Sequence, residues 1–122
     1  MFGKVLNLRF SSVSEAKIAA SFCSENFGSK ISEYDIIGLN ITIGQSGDLN
    51  VLFKFNNSDS LKNFEENFKN IISDLRQSFT FKENNFVGVC AYSFEKEAIV
   101  TVSWLFMLAD HSQKFWIIRK RN

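Results

Sequence analysis

The segment 56–79, NNSDSLKNFEENFKNIISDLRQSF, constrains the fold more than any other part of the chain. Leu61, Phe64, Phe68, Ile71, Ile72, Leu75 and Phe79 recur at three- and four-residue steps, so a helix gathers them into one apolar stripe. Ser58 is placed to cap the start, and Asp59 then falls in the first turn, where the helix dipole favours an anion. Burial of each large side chain in that stripe stabilises by about 1.5–3 kcal/mol. A stripe of this width needs an apolar surface to lie on, and the rest of the sequence supplies one with a two-residue period.

In residues 2–10, Phe2, Leu6, Leu8 and Phe10 alternate with Val5, Asn7 and Arg9, as in a half-buried strand, with Lys4 interrupting the apolar face near its exposed start. SSVSEAKIAASFCSENFG follows. Ser12 and Glu15 have the spacing of a capping box, Val13, Ala16, Ala20, Cys23 and Phe27 keep helical spacing, and Gly28 stands where a C-cap ends the helix. EYDIIGLNITIGQSGDLNVLFKF reads as a hairpin. Ile37, Leu39, Ile41 and Ile43 alternate with Gly38, Asn40 and Thr42, GQSGD offers two glycines for left-handed backbone, and Val51, Phe53 and Phe55 alternate with Asn50, Leu52 and Lys54. Beyond the second helix NNFVGVCAYSFE is strand-like, a tight turn is expected near Lys96, and AIVTVSWLF is a further strand before the charged end HSQKFWIIRKRN.

The order β-α-β-β-α-β predicts an α+β protein of ferredoxin-like arrangement: a four-stranded antiparallel sheet with both helices on one face, plus a C-terminal strand or tail extension. A single domain over 1–122 is expected, with its core in about 2–94 and the extension in 95–122. Leu6, Leu8, Phe10, Leu39, Ile41, Phe53 and Phe55 form the predicted helix-facing set. Asn7, Arg9, Asn40, Thr42, Asn50 and Lys54 fall on the opposite face, with Val5, Tyr34, Ile36 and Leu52 among them.

Composition narrows the chemistry. With 45% hydrophobic and 22% charged residues the chain is globular, and its 14 Phe are bulky core material. A formal net charge of +1 draws in neither nucleic acid nor an anionic membrane. Cys23 and Cys90 form no C-x-x-C and join no His cluster, so they read as buried thiols in a reducing cytoplasm, and no metal site is expected. The N-terminus lacks a signal-peptide core, and the longest apolar run, 98–109, falls well short of the roughly 20 residues that span a bilayer. There is no P-loop, no G-x-S-x-G and no G-x-G-x-x-G. Glu65 and Glu66 are adjacent and diverge on a helix, and Lys114, Arg119, Lys120 and Arg121 read as a solvated tail.

A ferredoxin-like sheet can bind RNA through aromatics on its first and third strands. VLNL at 5–8 lacks the aromatic, and DLNVLFKF lacks the glycine of that signature, so an RNA-binding module ranks last and no nucleic-acid partner is expected. Over residues 2–94 the order of elements and the segment GLNITIGQSGDLNVLFKFNNSDSLKNF resemble the dimeric α+β barrel superfamily, in particular its antibiotic-biosynthesis-monooxygenase-like group. The resemblance implies a homodimer with sheets packed face to face, a small-molecule cavity in each subunit, and a C-terminal segment that reaches to the partner. Haem-degrading members carry an Asn on the first strand with a Trp and a His on helices. Asn7 matches, but Phe64 and Phe68 stand in the second helix and His111 lies in the tail, so no haem and no other cofactor is expected.

The resulting expectation is a small cytoplasmic protein that forms a homodimer, makes no membrane contact and binds a small apolar or anionic ligand. Asn7, Arg9, Asn40 and Tyr92 are the candidate ligand-binding residues, Arg9 suiting a carboxylate or phenolate. The alternative is a cofactor-independent monooxygenase-like enzyme. Its catalytic residues stay unassigned, with Tyr34, Tyr92, Arg9 or a buried Glu open for acid–base work.

Overall fold

Among the described residues, four eight-residue strands and two helices follow in the order β1 (Phe2–Arg9), α1 (Val13–Gly28), β2 (Ile36–Ile43), β3 (Asp48–Phe55), α2 (Ser58–Ser78) and β4 (Lys82–Val89). The computed structural model describes residues 1–94 and 96. All six elements lie in a first unit, Met1–Ala91. In the second unit, Tyr92–Asn122, the described residues Tyr92, Ser93, Phe94 and Lys96 are exposed and outside regular structure. The strand expected at 98–106, His111 and the basic end lie outside the described residues.

The strands form one sheet in the order β2-β3-β1-β4, with every neighbouring pair antiparallel. α1 carries the chain from β1 past β3 to β2, and α2 carries it from β3 past β1 to β4. This is the expected ferredoxin-like α+β arrangement. The α2 stripe forms as its spacing predicts, with Leu61, Phe64, Phe68, Ile71, Ile72 and Leu75 buried. It meets Phe53 and Phe55 of β3 and Phe27 of α1 in an aromatic cluster, with Phe53 4.8 Å from Phe64 and 4.9 Å from Phe27 between ring centroids. A second cluster, Phe10 with Phe79 at 5.8 Å and Phe81 at 5.2 Å, closes one end of the core.

Several local expectations shift by one residue. The Ser12 hydroxyl accepts from Glu15 N–H at 3.2 Å, but the Glu15 carboxylate is held by the Ser11 hydroxyl at 2.9 Å. Gly28 is the last helical residue instead of a left-handed cap, because the chain runs on through further turns that start with Lys30 N–H on Phe27 C=O at 3.0 Å. Asn57, not Ser58, caps α2, accepting from Ser60 N–H at 2.9 Å. In the β2–β3 turn only Gly47 takes positive φ, at 95°, and its carbonyl accepts from Phe10 N–H at 3.0 Å.

Two corrections concern which face a side chain takes. Ile36 pairs with Phe55 and Gly38 with Lys54, so Ile37 is an extra residue bulged out of β2. The bulge resets the alternation, as such insertions do. Ile36 therefore turns into the core instead of joining the opposite face, and Tyr34, in the turn before β2 and followed by Asp35 at φ 56°, also packs inward, 5.8 Å from Phe64 edge to face. Lys4, expected at an exposed strand end, is only 1% exposed.

Candidate functional site

The strand register sorts the outer face of the sheet, away from the helices, into rows that cross the strands. Asp48, Arg9 and Lys82 form a charged row. Two residues along, Thr42, Asn50, Asn7 and Asn84 form a row of neutral hydrogen-bonding groups. Asn40, Leu52, Val5 and Phe86 follow as a mainly apolar row, and Gly38, Lys54, Gly3 and Gly88 complete the face.

Within these rows the side chains engage one another. Asn50 Nδ2 donates to Asn7 Oδ1 at 2.9 Å. Arg9 Nε lies 3.6 Å from Asp48 Oδ1, and Asp48 Oδ2 accepts from the Ser46 hydroxyl at 3.2 Å. Phe86 is 65% exposed, and a Cβ at Gly88 would come within 3.0 Å of its ring, so the ring lies over that glycine. The Lys54 stem lies over Gly38 in the same way.

Three of the four expected ligand-binding residues share this face. Asn7 and Arg9 are neighbours on β1, and Asn40 stands on the edge strand β2, with β3 between. Tyr92, 85% exposed, lies past the end of β4 in the second unit. Asp48, Asn84, Lys82 and Phe86 also belong to the outer face and were not singled out from sequence. In FVGV the apolar residues fall on both parities, so the faces of β4 are legible only from its pairing with β1.

The helix side holds a polar network that no local pattern announces. Lys4 Nζ lies 2.7 Å from Glu65 Oε1, donates to Asn85 Oδ1 at 3.1 Å, and sits 4.1 Å from the centroid of Phe68. Its contact with Glu65 is an ion pair without the alignment of a hydrogen bond. Asn85 donates in turn to Glu83, whose other oxygen accepts from Arg76 Nη2 at 2.7 Å. Arg76 also lies 4.4 Å over the Phe81 ring. A buried ammonium is tolerated because an anion, an amide oxygen and an aromatic face replace its water.

Two titrating groups are displaced, both toward the neutral form. Burial pushes the Cys23 thiol up to about 12. The Tyr34 hydroxyl is pushed up by desolvation first, then by its hydrogen bond with Glu33 and the charges of Glu33 and Glu66. Its ring packs in the core while the hydroxyl meets these carboxylates at the rim. Tyr34 is thus held away from the phenolate a base would need. Among the described residues no three His, Cys, Asp or Glu side chains come together as a metal site requires, and no helix is long and apolar enough to cross a membrane.

No family model matches the chain, and no curated protein matches it. Among solved structures it is similar to a dimeric ferredoxin-like protein from an uncultured marine organism, with a TM-score of 0.62 and 19% sequence identity. The match covers 79% of this chain and 100% of that one. Likeness at that identity establishes the shared fold: the chain is an α+β protein of ferredoxin-like architecture.

Proposed function

We propose that this chain is a homodimeric small-molecule-binding protein of the cytoplasm, assembled through the outer face of its sheet, with 95–122 extending the same domain. The carrying observation is the sorting of that face into charged, amide and apolar rows, a pattern suited to recognition of a structured surface. The similar ferredoxin-like structure is itself named as dimeric, which supports the reading. Asn7, Arg9 and Asn40, with Tyr92, are the residues assigned to the ligand, a small apolar or anionic molecule whose carboxylate or phenolate pairs with Arg9. Apolar walls carrying a few placed polar groups are the usual composition of such sites. A cofactor-independent oxygenase is the second reading, in which Tyr34, its pKa raised by desolvation and by Glu33, would serve as a proton donor and not as a base. Sedimentation equilibrium tests the assembly: the wild type is expected to be a dimer at micromolar concentration and Leu52→Asp a monomer. A monomeric wild type removes the proposal. Isothermal titration with aromatic carboxylates tests the ligand, whose binding should be lost in Arg9→Gln.

A further inference from the structure

β4 is the one described strand that places no side chain in the core. β1 buries Lys4, Leu6 and Leu8, and β3 buries Leu49, Val51, Phe53 and Phe55. Even the other edge strand, β2, buries Ile36 and rests Leu39 and Ile41 against the core. On its helix side β4 offers Glu83, Asn85, Val87 and Val89, opposite Leu8, Leu6, Lys4 and Phe2 of β1. The polar pair comes first, and the two valines are 46% and 71% exposed. Apolar burial therefore contributes little to keeping β4 in place.

Polar contacts hold it instead. Cys90 N–H donates to Met1 C=O at 2.9 Å, and these residues continue the β1–β4 register. Antiparallel bonding alternates from there, so Gly3, Val5 and Asn7 exchange ladder bonds with Gly88, Phe86 and Asn84. Phe10 N–H on Gly47 C=O continues the β1–β3 register in the same way, so Leu6 and Leu8 bond to Val51 and Leu49 of β3. Beyond the ladder, Lys4 Nζ reaches Asn85 and Arg76 reaches Glu83. Phe81, buried beneath the Arg76 guanidinium, anchors the chain just before the strand begins.

We infer that β4 is a strap that opens as a unit while the rest of the fold stays closed, hinged at Phe81 and latched by Asn85 and Glu83. Segments with exposed ladder bonds and few buried apolar contacts open well below the free energy of global unfolding. The aromatic cluster draws its rings from α1, α2 and β3, so it survives the opening. Opening uncovers the Lys4 ammonium and takes Lys82 and Asn84 away from Arg9 and Asn7, which gives the outer face a second arrangement. The strap belongs to a single subunit and does not rest on the homodimer proposed above.

Native-state hydrogen exchange of the wild-type protein tests the strap. Amides of Asn84, Phe86 and Gly88, together with those of Val5 and Asn7, should be protected about a hundredfold less than those of Leu6, Leu8 and Val51. Neighbouring residues of β1 thus divide between a fast and a slow class. Low concentrations of urea should accelerate the slow class steeply and leave the fast class almost unchanged, because opening the strap exposes little surface. Asn85→Ala removes the latch from the closed state alone, so both classes should exchange about tenfold faster. Phe27→Leu loosens only the core, so the slow class should exchange about tenfold faster while the fast class keeps its wild-type rates. Equal protection along β1, one steep urea dependence shared by all these amides, or a fast class that follows the core in Phe27→Leu overturns the inference. The urea dependence of the wild type decides the question should either variant fail to fold.

Discussion

Burial decides the chemistry of Cys23. The thiol lies under α1 with no exposed surface, and desolvation alone pushes its pKa up to about 12 from an ordinary 9.0. The thiolate is the reactive form, so Cys23 should resist a thiol reagent at pH 8 until the chain unfolds, as a labelling time course would show. The same shift fixes a pH dependence. The contribution of the protonated buried thiol is present in full below pH 9, where the unfolded chain is also protonated. It is lost as pH rises toward about 12, at about 1.4 kcal/mol per pH unit, because only the unfolded state releases the proton. Denaturant titrations of wild type and Cys23→Ala between pH 9 and 11 should differ by that slope. Gly47 is constrained by backbone instead. Its φ is 95°, and a Cβ would sit 2.8 Å from the Phe10 carbonyl oxygen. Gly47→Ala should therefore cost about 1–3 kcal/mol of unfolding free energy, measured by denaturant titration. GQSGD announces such a turn, but not that one of its glycines suffices.

Among the elements, α2 was the most legible and β4 the least, for one physical reason. A long stripe at helical spacing has a single solution, and the buried set of α2 follows it residue by residue. A strand's faces depend on its parity, which one inserted residue inverts, so Ile37 moved Ile36 into a core the alternation did not give it, while Tyr34 enters that core from the turn before β2. β4 buries none of its eight residues and is held by its ladder to β1 and by the Lys4–Asn85–Glu83–Arg76 network. Nothing in GKVLN tells a buried Lys4 from an exposed one, because Glu65, Asn85 and Phe68 arrive from elsewhere in the chain. Lys4→Ala should destabilise by about 2–3 kcal/mol, through the cavity and the stranded polar groups. The value is set below that of a fully buried pair because the Glu65 side chain is 37% exposed. Lys4→Met with Glu65→Met, which replaces the pair by apolar bulk, should fall within about 1 kcal/mol of wild type in urea unfolding. A double variant as unstable as Lys4→Ala would show that the network contributes more than its burial costs.

At the scale of the molecule, the order of elements was enough to read the fold, since few topologies close a β-α-β-β-α-β chain. The candidate site was legible only in part. Asn7, Arg9 and Asn40 could be placed on one face by alternation, but the rows that give the face its character appear only when four strands are in register. In the proposed dimer association is linked to folding, so stability depends on protein concentration where the dimer predominates. Each tenfold increase should add about 1.4 kcal/mol per mole of dimer, raising the melting temperature by on the order of a few °C. Leu52→Asp places a carboxylate in the apolar layer on the outer face, where it leaves the helix-side core untouched. Its melting temperature should therefore be independent of concentration while its secondary structure, read by circular dichroism, stays that of wild type. A concentration-independent wild type would leave the layered face without a second copy to explain it, and a variant that keeps the dependence would move the contact to another surface.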